Sequence, residues 1–149
     1  MFKKILVGID GSAKGDKALE MAIGLAKESG AEIHLVHVTP WPTLPNVFPP
    51  GAIAYVPESV FQELTDELKA KAEKTLRERL LRVEEAGVSG KIKVLEGEPA
   101  SAIVNYAQEE GVELIVVGNR GISGVKELLL GSVSHKVSQL ARCPVLIVK

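Results

Sequence analysis

The stretch KILVGIDGS at residues 4–12 decides the fold, because an apolar run of strand length passes directly into a turn. Residues 4–9 predict a buried strand, and Asp10-Gly11-Ser12 supplies turn formers, with Ser12 as a candidate helix N-cap. Apolar residues then recur at helical spacing up to Gly30, at Ala18, Met21, Ala22, Leu25 and Ala26. The opening of the chain therefore predicts a strand followed by an amphipathic helix.

The rest of the chain repeats this alternation of strand and helix. Four further apolar segments have the length of strands, at residues 33–38, 91–95, 114–117 and 145–148. Helical patterns lie between them, over residues 59–87, 99–110 and 132–141. Ser59 and Gln62 have the spacing of a capping box at the start of the second helix. Pro99 suits the first position of the third helix, and Gly111 suits its end.

Alternating strands and helices imply right-handed crossovers and a parallel sheet that is covered on both faces. The first, second and fourth strands are almost continuously apolar, as central parallel strands must be. Lys91-Ile92-Lys93-Val94 instead alternates charged and apolar residues, which is typical of an edge strand. We therefore predict an α/β fold with one domain over residues 1–149, a doubly wound five-stranded parallel sheet in the order 3-2-1-4-5.

The fifth strand takes the other edge in this order, yet it is apolar on both faces. An unprotected apolar edge invites pairing with another strand. A second copy of the chain across a two-fold axis covers this edge with the fewest assumptions, so we predict a homodimer through Val145–Val148. A loop or helix of the same chain is the alternative cover.

Composition limits the partners. Lys and Arg number 18 against 19 Asp and Glu, for a net charge of -1, so no overall positive field would hold nucleic acid or an anionic membrane. The apolar runs are too short for a membrane span, and the first residues lack the apolar stretch of a secretory signal, so we expect a cytoplasmic protein. The single cysteine, Cys143, lies near Val145 and Leu146 and is expected to be a buried structural thiol.

Doubly wound sheets bind ligands beyond the carboxyl ends of their strands where the winding reverses, here between the first and fourth strands. The first strand ends in Asp10, the fourth ends in Gly118-Asn119-Arg120-Gly121, and Gly131-Ser132-Val133-Ser134 opens the last helix. Glycines allow close approach to an anion, and the N–H groups at a helix start favour a phosphate. Arg120 and the hydroxyls of Ser132 and Ser134 supply further donors. Asp10 suits a ribose hydroxyl, a backbone amide or a divalent ion.

Other sites fit the sequence less well. No Gly-x4-Gly-Lys-Ser/Thr sequence occurs, so a P-loop NTPase mechanism lacks its lysine. A response-regulator receiver needs an acidic cluster where only Asp10 lies, and flavodoxin-type FMN binding needs more hydroxyls than that of Ser12. His34 and His37 point to opposite faces of a strand, so core or surface positions are favoured over metal ligation. The segment Pro40 to Glu58 holds six of the eight prolines and fits either a ligand cover or a stiffened surface loop.

The glycine spacing Gly118-x2-Gly121-x9-Gly131-Ser132 resembles the nucleotide-binding signature of the universal stress protein family. Residues 3–12, the His37-Val38 strand end, Gly97-Glu98-Pro99 and the run CPVLIV at 143–148 also resemble family elements, so the resemblance spans nearly the whole chain. It implies a flavodoxin-like sheet of the adenine nucleotide alpha hydrolase-like kind and an ATP-binding member. It also implies a dimer through the last strand and a stress-associated cytoplasmic role.

The resemblance also assigns residues to the site. It implies adenine and ribose near Asp10 and Val38, and ribose and phosphates along residues 118–121 and 131–134. The expected cofactor is ATP, with magnesium or manganese as a candidate companion ion. The candidate ATP-binding residues are Asp10, Val38, Gly118, Asn119, Arg120, Gly121, Gly131, Ser132, Val133 and Ser134.

Three functions remain open at this point. The first is an ATP-binding regulatory protein, a homodimeric switch whose choice of an unknown regulatory partner depends on the bound nucleotide. The second is a slow ATPase or autophosphorylating enzyme, in which a metal near Asp10 polarises the γ-phosphate and Ser132 or Ser134 accepts it. The third is a dimer scaffold that needs no nucleotide. Release of ADP separates the second from the first, and failure to bind separates the third.

Overall fold

The computed structural model describes residues 1–10, 13–39, 57–119 and 131–149. Its strands are β1 (Lys4–Gly8), β2 (Glu32–Thr39), β3 (Gly90–Glu96), β4 (Leu114–Gly118) and β5 (Val145–Val148). Its helices are α1 (Ala13–Ser29), α2 (Glu58–Glu85), α3 (Pro99–Glu110) and α4 (Ser132–Leu140). The strands pair in parallel in the order β3-β2-β1-β4-β5, which confirms the predicted doubly wound sheet. Within these ranges, every helix is too short or too polar to cross a membrane.

The central strands are apolar because both of their faces are covered. Ile5, Leu6 and Val7 of β1 have no exposed surface, and neither have Ile115 and Val116 of β4. In β3 the lysines are exposed while the residues between them are half-buried, as expected for an edge strand. The predicted edge position of β3 is therefore confirmed, and its lysines protect this edge from pairing.

Two apolar layers lie on opposite faces of the sheet. Ile5 and Val7 pack in one layer with residues of α1 and α2. Leu6, which points the other way, packs in the second layer with residues of α3 and α4. The helix after β1 and the helices on either side of β4 in sequence therefore cover different faces. With the strand order β3-β2-β1-β4-β5, this reversal of winding places the topological switch point between β1 and β4.

Both ends of α3 follow their sequence signals. Pro99 takes the first helical position, and the carboxylate of Glu98 accepts hydrogen bonds from the N–H groups of Ala100 and Ser101. The hydrogen bonds from Ser101 are the main cause that lowers the pKa of Glu98. Gly111 closes the helix with a φ of 67°, a left-handed conformation that favours glycine.

The capping box predicted at Ser59 and Gln62 is wrong. α2 begins one residue earlier, at Glu58, and its N-cap is Pro57, which makes no side-chain cap hydrogen bond. Pro57 is extended, with φ -61° and ψ 145°, so the helix starts directly after it and Ser59 falls inside the first turn. Gln62 instead donates from Nε2 to Oδ1 of Asp66, 3.0 Å away and one turn further along.

His34 of β2 is a core residue with no exposed surface. Its Nε2 lies 2.7 Å from Oε1 of Glu32, and its Nδ1 lies 3.1 Å from the hydroxyl of Tyr106 in α3. Because a carboxylate only accepts, Nε2 donates to Glu32 and Nδ1 accepts from the tyrosine hydroxyl. Burial is the main cause that lowers the pKa of His34 from its ordinary 6.5; the hydrogen bond to Glu32 opposes this shift, and Lys91 and Lys4 add to it.

His34 should make the fold less stable in mild acid. Since its pKa is lowered in the folded chain, the unfolded chain binds the proton more readily, so its contribution to stability is full above pH 6.5 and declines below it. Urea denaturation at a series of pH values from 8 down to about 5, above the range where most carboxylates titrate, should show this slope. His34→Gln should flatten the slope, whereas Tyr106→Phe, which keeps the imidazole, should retain it. Equal slopes in wild type and His34→Gln would contradict the assignment.

Candidate functional site

The carboxyl ends of β1 and β4 lie close together. The two strands pair side by side in parallel. A Cβ added at Gly8 would lie 3.2 Å from Cγ1 of Val117, so a larger residue at Gly8 would push against β4. Asp10, which is half-buried, follows two residues later. The structure therefore places the Asp10 end of β1 beside the Gly118 end of β4, as the predicted switch point requires.

The two segments of the glycine signature meet at the end of β4. The N–H of Gly131 donates to the carbonyl of Asn119 at 2.6 Å, and the N–H of Asn119 donates to the carbonyl of Val148 in β5 at 2.9 Å. Gly131 is the N-cap of α4 and is extended, with φ -60° and ψ 151°. The N–H groups of Ser132 and Val133 belong to the first turn and have no partner within the helix. The positive end of α4 is thus held directly beside β4.

Ser134 makes the second connection between these segments. It is 4% exposed, and its Oγ donates a short hydrogen bond to the carbonyl oxygen of Gly118. A serine hydroxyl has one proton to donate, so it is not available to a phosphate while this bond exists. We expected the Ser134 hydroxyl to donate to a phosphate, but in the structure it donates to Gly118 and holds α4 against β4. Ser132, by contrast, is exposed.

Asn119 brings an unpaired acceptor to the same place. The residue is 9% exposed, and its Oδ1 is buried with no hydrogen-bond partner in the part of the chain that the structure describes. A buried acceptor without a donor costs about 1–3 kcal/mol. The carboxamide oxygen therefore suits a ligand that brings a hydroxyl or amino donor to the end of β4.

The end of β2 forms the other side of the cleft. Val38 is half-buried and packs against the layer of α3 and α4. His37, immediately before it, lies with Nδ1 2.6 Å from the carbonyl oxygen of Ile9, the residue that precedes Asp10. His37 therefore contacts the predicted site, a role that sequence reasoning missed when it favoured core or surface positions for the histidines. The signal available in the sequence was its place at a strand end beside Val38.

The described residues include most of the predicted site. Gly118, Asn119 and residues 131–134 form one cluster at the end of β4, and Asp10 and Val38 lie at the ends of the two strands next along the sheet. Arg120, Gly121 and residues 40–56 of the proline-rich segment lie outside the described residues.

Cys143 lies at the opposite end of the sheet, before β5. We predicted a buried thiol, and the structure shows a half-buried one that packs against the layer of α3 and α4. Burial raises the pKa of its thiol, which therefore stays neutral and weakly nucleophilic at neutral pH. Across the described ranges, no three or more His, Cys, Asp and Glu side chains are grouped to hold a metal ion.

The fold and this cleft define a doubly wound α/β protein with a glycine-lined site at its topological switch point. A sequence model of the universal stress protein family matches residues 1–149. Universal stress protein YxiE of Bacillus subtilis is 50% identical over 149 residues, which is 100% of both chains. The chain belongs to the universal stress protein family.

Solved structures agree with this assignment. The structure of protein MJ0577 of Methanocaldococcus jannaschii matches with a TM-score of 0.86 at 31% identity, covering 100% of this chain and 96% of that one. A universal stress protein in complex with cAMP matches with a TM-score of 0.67 at 28% identity, covering 99% of this chain and 97% of that one.

Ser134→Ala should destabilise the protein by about 1–3 kcal/mol, because the Gly118 carbonyl loses a buried donor. Ser138→Ala in the same helix is the matched control, since that exposed hydroxyl donates only locally, to the carbonyl of His135 at 2.6 Å. The control should change the free energy of unfolding by less than about 0.5 kcal/mol. Guanidinium denaturation measures both values, and equal losses would show that Ser134 is an ordinary helix serine.

Proposed function

We propose that this universal stress protein binds ATP in the cleft between β1 and β4 and acts as a nucleotide-dependent homodimeric switch. One domain over residues 1–149 would carry the site and the dimer contact, in the cytoplasm, and the bound state would select a regulatory partner. The observation that carries the proposal is the hydrogen-bonded junction of Asn119 with Gly131 at the start of α4.

The start of α4 suits the phosphates. Its first N–H groups lack partners within the helix and lie at the positive end of the helix dipole, a combination that binds anions. Gly131 has no side chain to obstruct an approaching phosphate. Arg120 and Gly121 belong to the proposed phosphate site by their place in the sequence, between Asn119 and Gly131.

The part of the cleft that runs from Asn119 to the ends of β1 and β2 suits a nucleoside. The unpaired Oδ1 of Asn119 and the carboxylate of Asp10 both accept hydrogen bonds, which matches ribose hydroxyls and does not match a phosphate. Val38 adds apolar surface at the end of β2, as an adenine ring requires. A ligand with an anionic end and a hydroxyl-bearing apolar end, such as a nucleotide, satisfies both parts of the cleft.

The family supports adenine as the base. The solved relative that is 28% identical is described in complex with cAMP, an adenine nucleotide. With ATP, a magnesium or manganese ion would neutralise charge on the phosphates and keep most of its ligands as phosphate oxygens and water. Such an ion would need few protein ligands, which agrees with the lack of a cluster of metal-binding side chains among the described residues.

Gly131→Val should weaken ATP binding at least about tenfold, because the valine side chain takes space in front of the first turn of α4. Isothermal titration of nucleotide-free protein with ATP, with and without magnesium, measures the affinity. Mass detection of small molecules released from freshly purified protein identifies any bound nucleotide. Gly24→Ala in α1 is the control, because a Cβ there meets nothing within 4 Å. Purified protein that carries no nucleotide and binds none on titration would overturn the proposal and favour the dimer scaffold.

The exposed hydroxyl of Ser132 favours one second function, slow ATP hydrolysis with autophosphorylation. Ser132 opens α4, while the Ser134 hydroxyl is engaged by Gly118, so Ser132 is the better placed acceptor of a γ-phosphoryl group. The same titration samples, incubated and analysed for ADP, distinguish this reaction from simple binding. Phosphate on wild type that is absent from Ser132→Ala would identify the acceptor.

The homodimer is proposed to form through β5. Within the described ranges, only β4 pairs with β5, and all four β5 residues are half-buried. The carbonyl of Pro144 accepts a hydrogen bond from Ile115 of β4, and that of Val148 accepts one from Asn119, just after β4. The alternating backbone groups of Val145 and Ile147 therefore point to the open edge. Two copies related by a two-fold axis would pair these groups as antiparallel strands.

Ile147→Pro should shift the protein from dimer towards monomer, because proline lacks the N–H that points to the open edge. The hydrogen bonds between β5 and β4 do not use this N–H and are kept. Ile147→Val is the control, since it keeps both the N–H and an apolar side chain. Sedimentation velocity over a concentration series should show an increase of at least about tenfold in the dimer dissociation constant for the proline variant alone. A wild-type monomer, or a proline variant as dimeric as wild type, would contradict this interface.

A further inference from the structure

The backbone at the end of β1 is fixed to β2 through Ile9. The N–H of Ile9 donates to the carbonyl of Val36 at 2.8 Å. Its carbonyl oxygen lies 2.6 Å from Nδ1 of His37, and because a carbonyl only accepts, Nδ1 carries the proton and donates. Both backbone groups of the residue before Asp10 are therefore held by β2.

The imidazole takes the place of a backbone donor. After the bond from Ile9 to Val36, the next rung of a regular parallel ladder would run from the N–H of Val38 to the carbonyl of Ile9. Among the described backbone hydrogen bonds that rung is absent, and the pairing of the two strands ends at Gly8 and Val36. The N–H of Val38, which points to the β1 side as that of Val36 does, has no backbone acceptor among the described residues and is left as a donor at the cleft.

Packing alone does not require this arrangement. A regular rung would satisfy the Ile9 carbonyl with the backbone itself and would not need a side-chain donor at position 37. With the imidazole as the donor, the peptide that leads into Asp10 is held by a side chain, and the Val38 N–H does not join the ladder. Both consequences fall on the nucleoside side of the cleft, away from the start of α4.

We propose that His37 is a positioning residue of the nucleotide site. It holds the backbone of Asp10 and keeps the Val38 N–H available, so that the nucleoside end of the ligand is met by groups already in place. This inference rests on the proposed function. It restricts the effect of His37 to the part of the ligand that ATP and AMP share, because the start of α4, where the phosphates are proposed to bind, is held in place separately by the hydrogen bond from Ser134 to Gly118.

Three variants of His37 separate positioning from general structure. His37→Phe keeps a ring of similar size and removes the donor. His37→Asn keeps an amide N–H close to the place of Nδ1, and His37→Gln moves the amide towards the place of Nε2. Isothermal titrations with ATP and with AMP, on chains whose folding is checked by circular dichroism and urea denaturation, measure the affinities.

His37→Phe and His37→Gln should weaken the binding of ATP and of AMP by the same factor, about tenfold, which corresponds to the loss of one well-placed hydrogen bond. His37→Asn should stay within about twofold of wild type. If the phenylalanine variant does not fold, the contrast between Asn and Gln carries the test.

Three results would overturn the role of His37 without contradicting the proposed ATP site of the wild-type chain. They are variants that all bind like wild type, Asn and Gln variants that lose affinity equally, and a loss of affinity confined to ATP. A wild-type chain that binds neither nucleotide would overturn the proposed function and this inference with it.

Discussion

The parallel pairing of β1 with β4 is the constraint on which the rest of the structure depends. Because both strands are central, both of their faces must be covered, and this forces α1 and α2 onto one face and α3 and α4 onto the other. The same pairing brings the carboxyl ends of the two strands together, so that β1 and β4 end side by side at Gly8 and Gly118. The position of the cleft is a consequence of the winding.

Side chains hold the backbone of this cleft in place. His37 fixes the exit of β1, and Ser134 fixes the start of α4 against Gly118. The hydroxyl proton of Ser134 and the Nδ1 proton of His37 are then engaged by the backbone, so the proposed ligand would instead meet backbone N–H groups and the unpaired oxygen of Asn119. Donors and acceptors that are fixed before binding reduce the ordering that binding must impose, which favours affinity for a ligand of matching shape.

The two edges of the sheet are treated differently. β3 exposes lysines at alternate positions, and these charges discourage a further strand from pairing. β5 has four apolar residues and carries no charge within the strand. An asymmetric sheet of this kind leaves one edge open to association. On its other side, β5 accepts a hydrogen bond from the N–H of Asn119 to the carbonyl of Val148. The strand of the proposed dimer contact is therefore hydrogen-bonded to a residue of the proposed nucleotide site.

The sequence by itself determined the elements, their order in the sheet and the two glycine segments of the site, because periodicity, proline and glycine act over a few residues. It failed at Ser59, where the rigid Pro57 next to the helix set the start instead. Only the tertiary structure decided the hydrogen-bond partners of Ser134 and His37, which lie 16 and 28 residues away. No local pattern reports such a partner, since whether a polar side chain donates to the backbone or to a ligand depends on which strand end the fold brings beside it.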